Sequence, residues 1–154
     1  MLIRPGVESE IAELSTMAVE SKRHWGYDEE FIELCRPELT VTRQDVESGL
    51  VFVAESANGQ PLGFYVLCGS PRPELTMLFV SPGEMGDGVG KALFFDALSV
   101  ASSRGWSSVF IESDPFAAAF YEHLGAALVG SATSSSTGRE LPVYEVSTAS
   151  DTEE

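Results

Sequence analysis

The residues that most directly suggest chemistry lie in the stretch Val80-Ser-Pro-Gly-Glu-Met-Gly-Asp-Gly-Val-Gly90-Lys91. It falls between an apolar run that reads as a strand and a periodic run that reads as a helix. Gly86, Gly88 and Gly90 can take positive φ and admit a ligand close to the main chain. The helix that follows presents unpaired N–H groups and the positive end of its dipole. That combination suits a phosphate or pyrophosphate. Two common phosphate motifs do not fit. A Walker loop requires glycine at position 85, which is Met85, and Ser or Thr at position 92, which is Ala92. The Gly-x-Gly-x-x-Gly spacing ends on Lys91 when counted from Gly86 and on Leu93 when counted from Gly88. A second dense stretch is Ser21-Lys-Arg-His-Trp-Gly-Tyr27. Its His24, Trp25 and Tyr27 can shape an aromatic site for an amine or a cation, and a histidine at position 24 can serve as a base. His123 reads as a surface residue near a helix C-terminus, where positive charge is favoured.

Leu78-Phe-Val-Ser-Pro82, followed by Met85-Gly-Asp-Gly-Val-Gly90-Lys-Ala-Leu93, resembles the acetyl-CoA loop of the GNAT (Gcn5-related N-acetyltransferase) superfamily. The family pattern is Gln/Arg-x-x-Gly-x-Gly/Ala after a Val-x-Pro strand end. Gly88 and Gly90 hold its two small positions. Met85 stands where Gln or Arg is usual, and Asp87 where a basic residue is frequent. The first change removes a polar side chain but leaves the backbone amides. Ser113-Asp-Pro-Phe-Ala-Ala-Ala-Phe-Tyr-Glu-His-Leu-Gly-Ala126 resembles the family's second block, with Asp114 for its Asn and Ala126 for its Phe. One helix and one strand separate the two blocks, as in the family. The resemblance spans nearly all of residues 1–147, with specific motifs in 74–126 only.

The resemblance implies an α/β GNAT fold: a mixed, mostly antiparallel sheet of about six or seven strands flanked by about four helices. It implies acetyl-CoA as cofactor and N-acetyl transfer to a primary amine of a small molecule, amino acid or peptide, by direct attack in a ternary complex. Leu78, Phe79 and Val80 would meet the pantetheine arm. Met85, Gly86, Asp87, Gly88, Val89, Gly90 and Lys91 would meet the phosphates. Asp114, Phe116, Ala117 and Phe120 would complete the cofactor site. Tyr121 matches the tyrosine that hydrogen-bonds the CoA sulfur and protonates the thiolate. Glu74, eleven residues before Met85, resembles the glutamate base of the histone-acetylating branch; His24 and ordered water are the alternatives. The segment with His24, Trp25 and Tyr27 would line the acceptor pocket. A second reading is a non-catalytic CoA-binding sensor or interaction module. Met85, Asp87 and Asp114 favour it, and Tyr121 opposes it. A homodimer through an edge strand near Leu141–Val146 is a further expectation by analogy.

Composition narrows the partners. The formal net charge of the 154 residues is -15. Nucleic-acid binding rests on Lys and Arg neutralising phosphates, so this balance excludes it, disfavours anionic membranes and favours cationic amines. Cys35 and Cys68 have neither metal nor redox spacing and read as reduced core thiols. No metal-ligand cluster is visible. The expectation is a cytoplasmic protein, since no apolar run reaches membrane length and the N-terminus has no signal-peptide pattern.

The elements that must position these residues follow from periodicity. Leu2–Arg4 reads as a short strand. Val7, Ile11, Leu14 and Ala18 recur at helical spacing up to about Arg23, and Gly26 breaks the helix. Asp28 can cap a second helix, with Phe31, Leu34 and Cys35 on one face. Thr42 and Asp45 have capping-box spacing. Leu50–Glu55 and Leu62–Cys68 read as a hairpin about Asn58-Gly59, followed by a strand at Leu75–Val80. A long helix over Val89–Arg104 stops at Gly105. Then come a strand at Ser108–Glu112, a helix at Phe116–Leu124, and strands at Ala126–Val129 and Leu141–Val146 around a polar loop at Ser131–Gly138. This order predicts one domain over residues 1–147, three antiparallel strands, and a parallel strand–helix–strand unit. Residues 148–154 read as a disordered acidic tail.

Overall fold

In the computed structural model, which describes residues 1–149, the chain begins with β1 (Leu2–Pro5), α1 (Ile11–Arg23), α2 (Glu29–Cys35) and α3 (Arg43–Glu47). It continues with β2 (Val51–Glu55), β3 (Pro61–Cys68), β4 (Glu74–Val80) and α4 (Val89–Ser103). It ends with β5 (Ser108–Glu112), α5 (Ala118–His123), β6 (Ala127–Thr133) and β7 (Glu140–Ser147). Local chemistry sets the boundaries. The Asp28 carboxylate accepts the Phe31 N–H at 2.9 Å and starts α2. Thr42 and Asp45 cap α3 reciprocally, each side chain accepting the other residue's N–H. Gly59 turns the β2–β3 hairpin at φ +84°, and Gly105 follows the end of α4 at φ +82°.

The strands form one seven-stranded sheet in the order β1-β2-β3-β4-β5-β7-β6. Alternation along the strands sends side chains to two separate cores. Val51, Val53, Phe64, Val66 and Met77 meet Leu14, Ala18 and Ile32 of α1 and α2. On the other face Ala54, Tyr65, Leu75, Val109 and Ile111 meet Leu93, Phe94, Ala97 and Tyr121 of α4 and α5. Leu93 and Phe94 are fully buried, and each contributes about 1.5–3 kcal/mol by leaving water.

All neighbouring strands are antiparallel except β4 and β5, which are parallel. These two are matched at a single position, Glu74 opposite Phe110, where the Phe110 N–H donates to the Pro73 carbonyl at 3.0 Å. Beyond that position they diverge. On the opposite edge of β4, Met77 pairs with Val66 and Leu75 with Leu67, so Thr76 is an extra residue, a β-bulge.

Several expectations are corrected. Leu34 is exposed and the buried pair of α2 is Ile32 and Cys35, because a seven-residue helix packs one narrow stripe onto α1. The helix expected at Phe116–Leu124 opens with a 3-10 turn over Pro115–Ala117, set by Asp114 accepting the Phe116 N–H at 2.8 Å. β6 extends into the expected polar loop as far as Thr133. β7 is an interior strand between β5 and β6, so Leu141–Val146 is not a free edge; β1 and β6 are the edges. Cys35 is fully buried, whereas Cys68 is only half-buried. At the start of the expected tail, Thr148 is buried, with its N–H on the Ser107 carbonyl and its hydroxyl on the Trp106 carbonyl. The rest of that tail, 150–154, lies outside the described residues.

Candidate active site

The divergence of β4 from β5 opens a cleft of about 420 Å³. One wall is β4 from Leu75 to Val80; past the Glu74 position its β5-facing edge has no ladder partner among the described residues. A second wall is the start of α4. A third comes from Ile111 to Asp114, the 3-10 turn and α5.

Met85 leads into the loop in an extended conformation; Gly86 then takes φ +90° and Gly88 φ +84°, a region that side chains beyond glycine rarely occupy. Gly88 is the N-cap of α4. The first helical bond runs from the Ala92 N–H to the Gly88 carbonyl at 3.0 Å. The amides of Val89, Gly90 and Lys91 therefore have no carbonyl partner within the helix. Gly90 is different from its neighbours. It does not take positive φ, and a Cβ there would sit 3.4 Å from the Phe120 ring and 3.5 Å from Val80. Its role is close packing. Met85, Gly86, Gly88, Gly90 and Lys91 line the cleft. Val89 turns its side chain into the core while Asp87 is exposed, so the Asp87 carboxylate stands in solvent.

Leu78, Phe79, Val80, Phe116, Ala117, Phe120 and Tyr121 also line the cleft. Tyr121 is 6% exposed. Burial, then the Asp114 charge, push its phenol well above the ordinary tyrosine value, so it keeps its proton through neutral pH.

Asp114 lines the cleft at the centre of a buried polar network. Lys22 donates to Oδ2 at 2.6 Å, and the Tyr27 hydroxyl donates to the same oxygen at 3.0 Å. Arg139 donates to the Tyr27 oxygen at 3.0 Å, reaches Asp114 at 3.5 Å and lies over the Phe31 ring at 4.6 Å. Burial pushes the Asp114 carboxyl up, but Lys22, the Phe116 N–H and Tyr27 outweigh it and hold it below its usual value. The Arg139 Nε is buried with no partner among the described residues. Tyr27 is thus a structural member of this network and lies outside the cleft lining. Trp25 does line the cleft. It is 40% exposed and stacks on Phe116, 53% exposed, at 5.3 Å and 3° between planes. His24 is exposed outside the lining. Glu74 is also outside it, at the closed apex where β4 and β5 still pair. Its carboxyl is raised by burial and next by the charge of Glu112, with Arg72 opposing.

Sequence reasoning missed Lys22, Glu38, Glu112 and Arg139, all of which line the cleft. Lys22 had a readable signal. It continues the Leu14, Ala18 stripe at four-residue spacing, and a lysine on a core-facing stripe needs a buried partner. Arg139 had none, because it lies in a polar turn.

The open edge of β4, the uncapped amides of α4 and the apolar passage between them fit acetyl-CoA. An extended amide-bearing arm can pair with the edge while phosphates meet the amides. Residues 10–138 match the acetyltransferase (GNAT) domain family, and the chain belongs to that family. It is an acetyltransferase and uses acetyl-CoA. Similar solved structures include a GCN5-related N-acetyltransferase from Rhodopseudomonas palustris, with a TM-score of 0.77, 24% identity and coverage of 95% of this chain and 94% of that one. The PaiA N-acetyltransferase from Thermoplasma acidophilum in complex with coenzyme A has a TM-score of 0.73, 19% identity and coverage of 95% and 98%. An aminoglycoside 6'-N-acetyltransferase complexed with coenzyme A has a TM-score of 0.65, 15% identity and coverage of 97% and 98%. No curated protein matches the sequence significantly. Among the described residues, no helix is long and apolar enough to cross a membrane.

Proposed function

We propose that the enzyme acetylates a primary amine of a small molecule, amino acid or peptide, by direct attack with both substrates in the cleft. The observation that supports this most is Tyr121, a buried tyrosine that keeps its proton and lines the same cleft as the free edge of β4. When bound, acetyl-CoA supplies an acetyl group activated as a thioester and a thiolate leaving group. The amides of Val89, Gly90 and Lys91 bind phosphate oxygens, and the Lys91 ammonium adds charge at the same mouth. The edge of β4 from Leu75 to Val80 orients an extended arm through main-chain hydrogen bonds. Tyr121 holds a proton at Oη and delivers it to the departing anion, and the proton that the attacking nitrogen loses on becoming an amide restores it. Trp25 and Phe116, stacked and partly exposed in the cleft lining, offer a flat apolar surface to the body of the amine. The net charge of -15 favours cationic amines over anions. Unpaired Cys35 and Cys68 fit a reducing compartment, supporting a cytoplasmic location.

The test is release of the CoA thiol from acetyl-CoA in the presence of spermidine, tyramine, lysine or a dialanine peptide, with the product identified by mass. We expect thiol release matched by N-acetyl product for at least one of them. Tight acetyl-CoA binding without transfer to any primary amine would overturn the amine reading.

A further inference from the structure

Among the described residues, three carboxylates line the cleft: Glu38, Glu112 and Asp114. Accepting a proton from an ammonium requires a carboxylate that is not already spent on other donors. Asp114 is committed to Lys22, Tyr27 and the Phe116 N–H. Glu38 accepts the Ser134 hydroxyl at 2.9 Å and the Ser136 hydroxyl on the same oxygen. Glu112 has no hydrogen bond among the described residues; its ionic neighbour is Arg72, at 3.8 Å. That arginine is fixed in place. Its guanidinium lies 4.1 Å over the Phe110 ring and 3.9 Å from Glu74. Arg72 therefore spans the two glutamates, one on each strand, at the point where the strands part. Glu74 is at the paired position itself, and Glu112 lies two residues past its partner Phe110, on the open side.

We infer that Glu112, at the C-terminal end of β5 on the open side of the β4–β5 fork, takes the proton from the acceptor ammonium, with Arg72 as its positioning residue. This rests on the amine reading above. One N–H bond of the ammonium breaks and an O–H bond forms on a Glu112 carboxylate oxygen, leaving the amine lone pair free to attack. Glu112 ends the step neutral and passes the proton to water, which its 37% exposed side chain can reach. Among the described residues, the charged groups around it are Arg72 and Glu74 at the fork and, elsewhere in the cleft lining, Lys22, Glu38, Lys91, Asp114 and Arg139.

The experiment compares two acceptors at neutral pH in the wild type, Glu112→Gln, Glu112→Asp and Glu74→Gln. Tyramine is an alkylammonium that must lose a proton; hydroxylamine is already neutral. In Glu112→Gln, kcat/KM for tyramine should fall by about 100-fold or more, while that for hydroxylamine changes less than about threefold on the same reasoning. Glu112→Asp should recover part of the tyramine rate. Calorimetry should show unchanged acetyl-CoA affinity, confirming that the variant is folded. Equal losses with both acceptors, or no loss with either, would overturn the assignment. So would the selective loss appearing in Glu74→Gln instead. A wild type that acetylates neither of these acceptors, nor spermidine, lysine or the dialanine peptide, would instead remove the amine reading on which the assignment rests.

Discussion

Replacing Lys22 with methionine isolates the buried ion pair at the cleft wall. Lys22 Nζ lies 2.6 Å from Asp114, and the two side chains are 10% and 14% exposed. Methionine keeps most of the length and apolar volume of the lysine stem and removes the charge. Breaking one side of a buried pair typically costs about 3–5 kcal/mol, because the remaining charge is left without its partner. Asp114 retains the Phe116 N–H, the Tyr27 hydroxyl and a distant Arg139, which puts the expected loss near the low end, about 3 kcal/mol. For a domain of this size that is a fall in Tm of about 6–12 °C. The loss must also depend on pH. In the intact protein the Asp114 carboxyl is held below its usual value. Its contribution is therefore fully present above the unfolded aspartate pKa and is lost as pH falls through the folded value. Without Lys22, burial dominates and the carboxyl moves up, so the variant suffers most where Asp114 must carry charge. Thermal melts followed by circular dichroism should show a wide gap between wild type and variant at about pH 7. That gap should narrow by about pH 3.5, below the ordinary aspartate pKa. Adding Asp114→Asn to Lys22→Met should return part of the lost stability. A gap of equal size at both pH values, or a fall of less than about 2 °C, would refute the argument.

Three further outcomes follow from the site. Gly88→Val forces a β-branched residue to φ +84°; strain of about 1–2 kcal/mol turns the amides away, and calorimetry should show acetyl-CoA binding weakened by about tenfold or more. Unchanged affinity would place the phosphates elsewhere. Tyr121→Phe should lower kcat by about 100-fold with little change in acetyl-CoA affinity, and a kcat within about threefold of wild type would remove the acid role. Trp25→Ala, which deletes the exposed partner of Phe116, should raise the acceptor KM by about fivefold from a lost stacking energy of about 1 kcal/mol. A change in acetyl-CoA affinity instead would assign Trp25 to the cofactor end.

What could be read in the sequence was what the chain decides locally. Gly86 and Gly88 betray the loop because positive φ is a property of the residue itself, and the short stretch to Val89 fixes the helix start beside it. Tyr121 was marked by the resemblance of its block to the family's, since on its own an aromatic beside Phe120 reads equally as core; the structure places it in the cleft lining. The polar network was not readable, because Lys22, Tyr27, Asp114 and Arg139 meet across separations of 92, 87 and 25 residues. Only the folded sheet decides which charges share a dry wall. Glu74 and Glu112 make the same point at shorter range. Both are strand-end glutamates, and what separates them is that Glu74 sits at the single ladder position while Glu112 lies two residues beyond its partner Phe110. The misplaced edge at β7 has a similar origin: hairpin order along the chain does not say that β6 takes the outside position.

The single ladder position between β4 and β5 makes the sheet two leaves on a short spine, with an unfinished margin inside the molecule. An extended ligand arm laid along β4 would finish that margin as an eighth strand would. Cofactor binding is then also a structural event. Any ligand that binds only the folded chain raises its stability with concentration, by about 2.7 kcal/mol at a hundredfold excess over Kd. The melting temperature of this protein would thus report the free acetyl-CoA around it, and amide exchange along β4 would slow as the leaves are joined. A protein built this way carries a gauge of its own cofactor supply in the persistence of its fold.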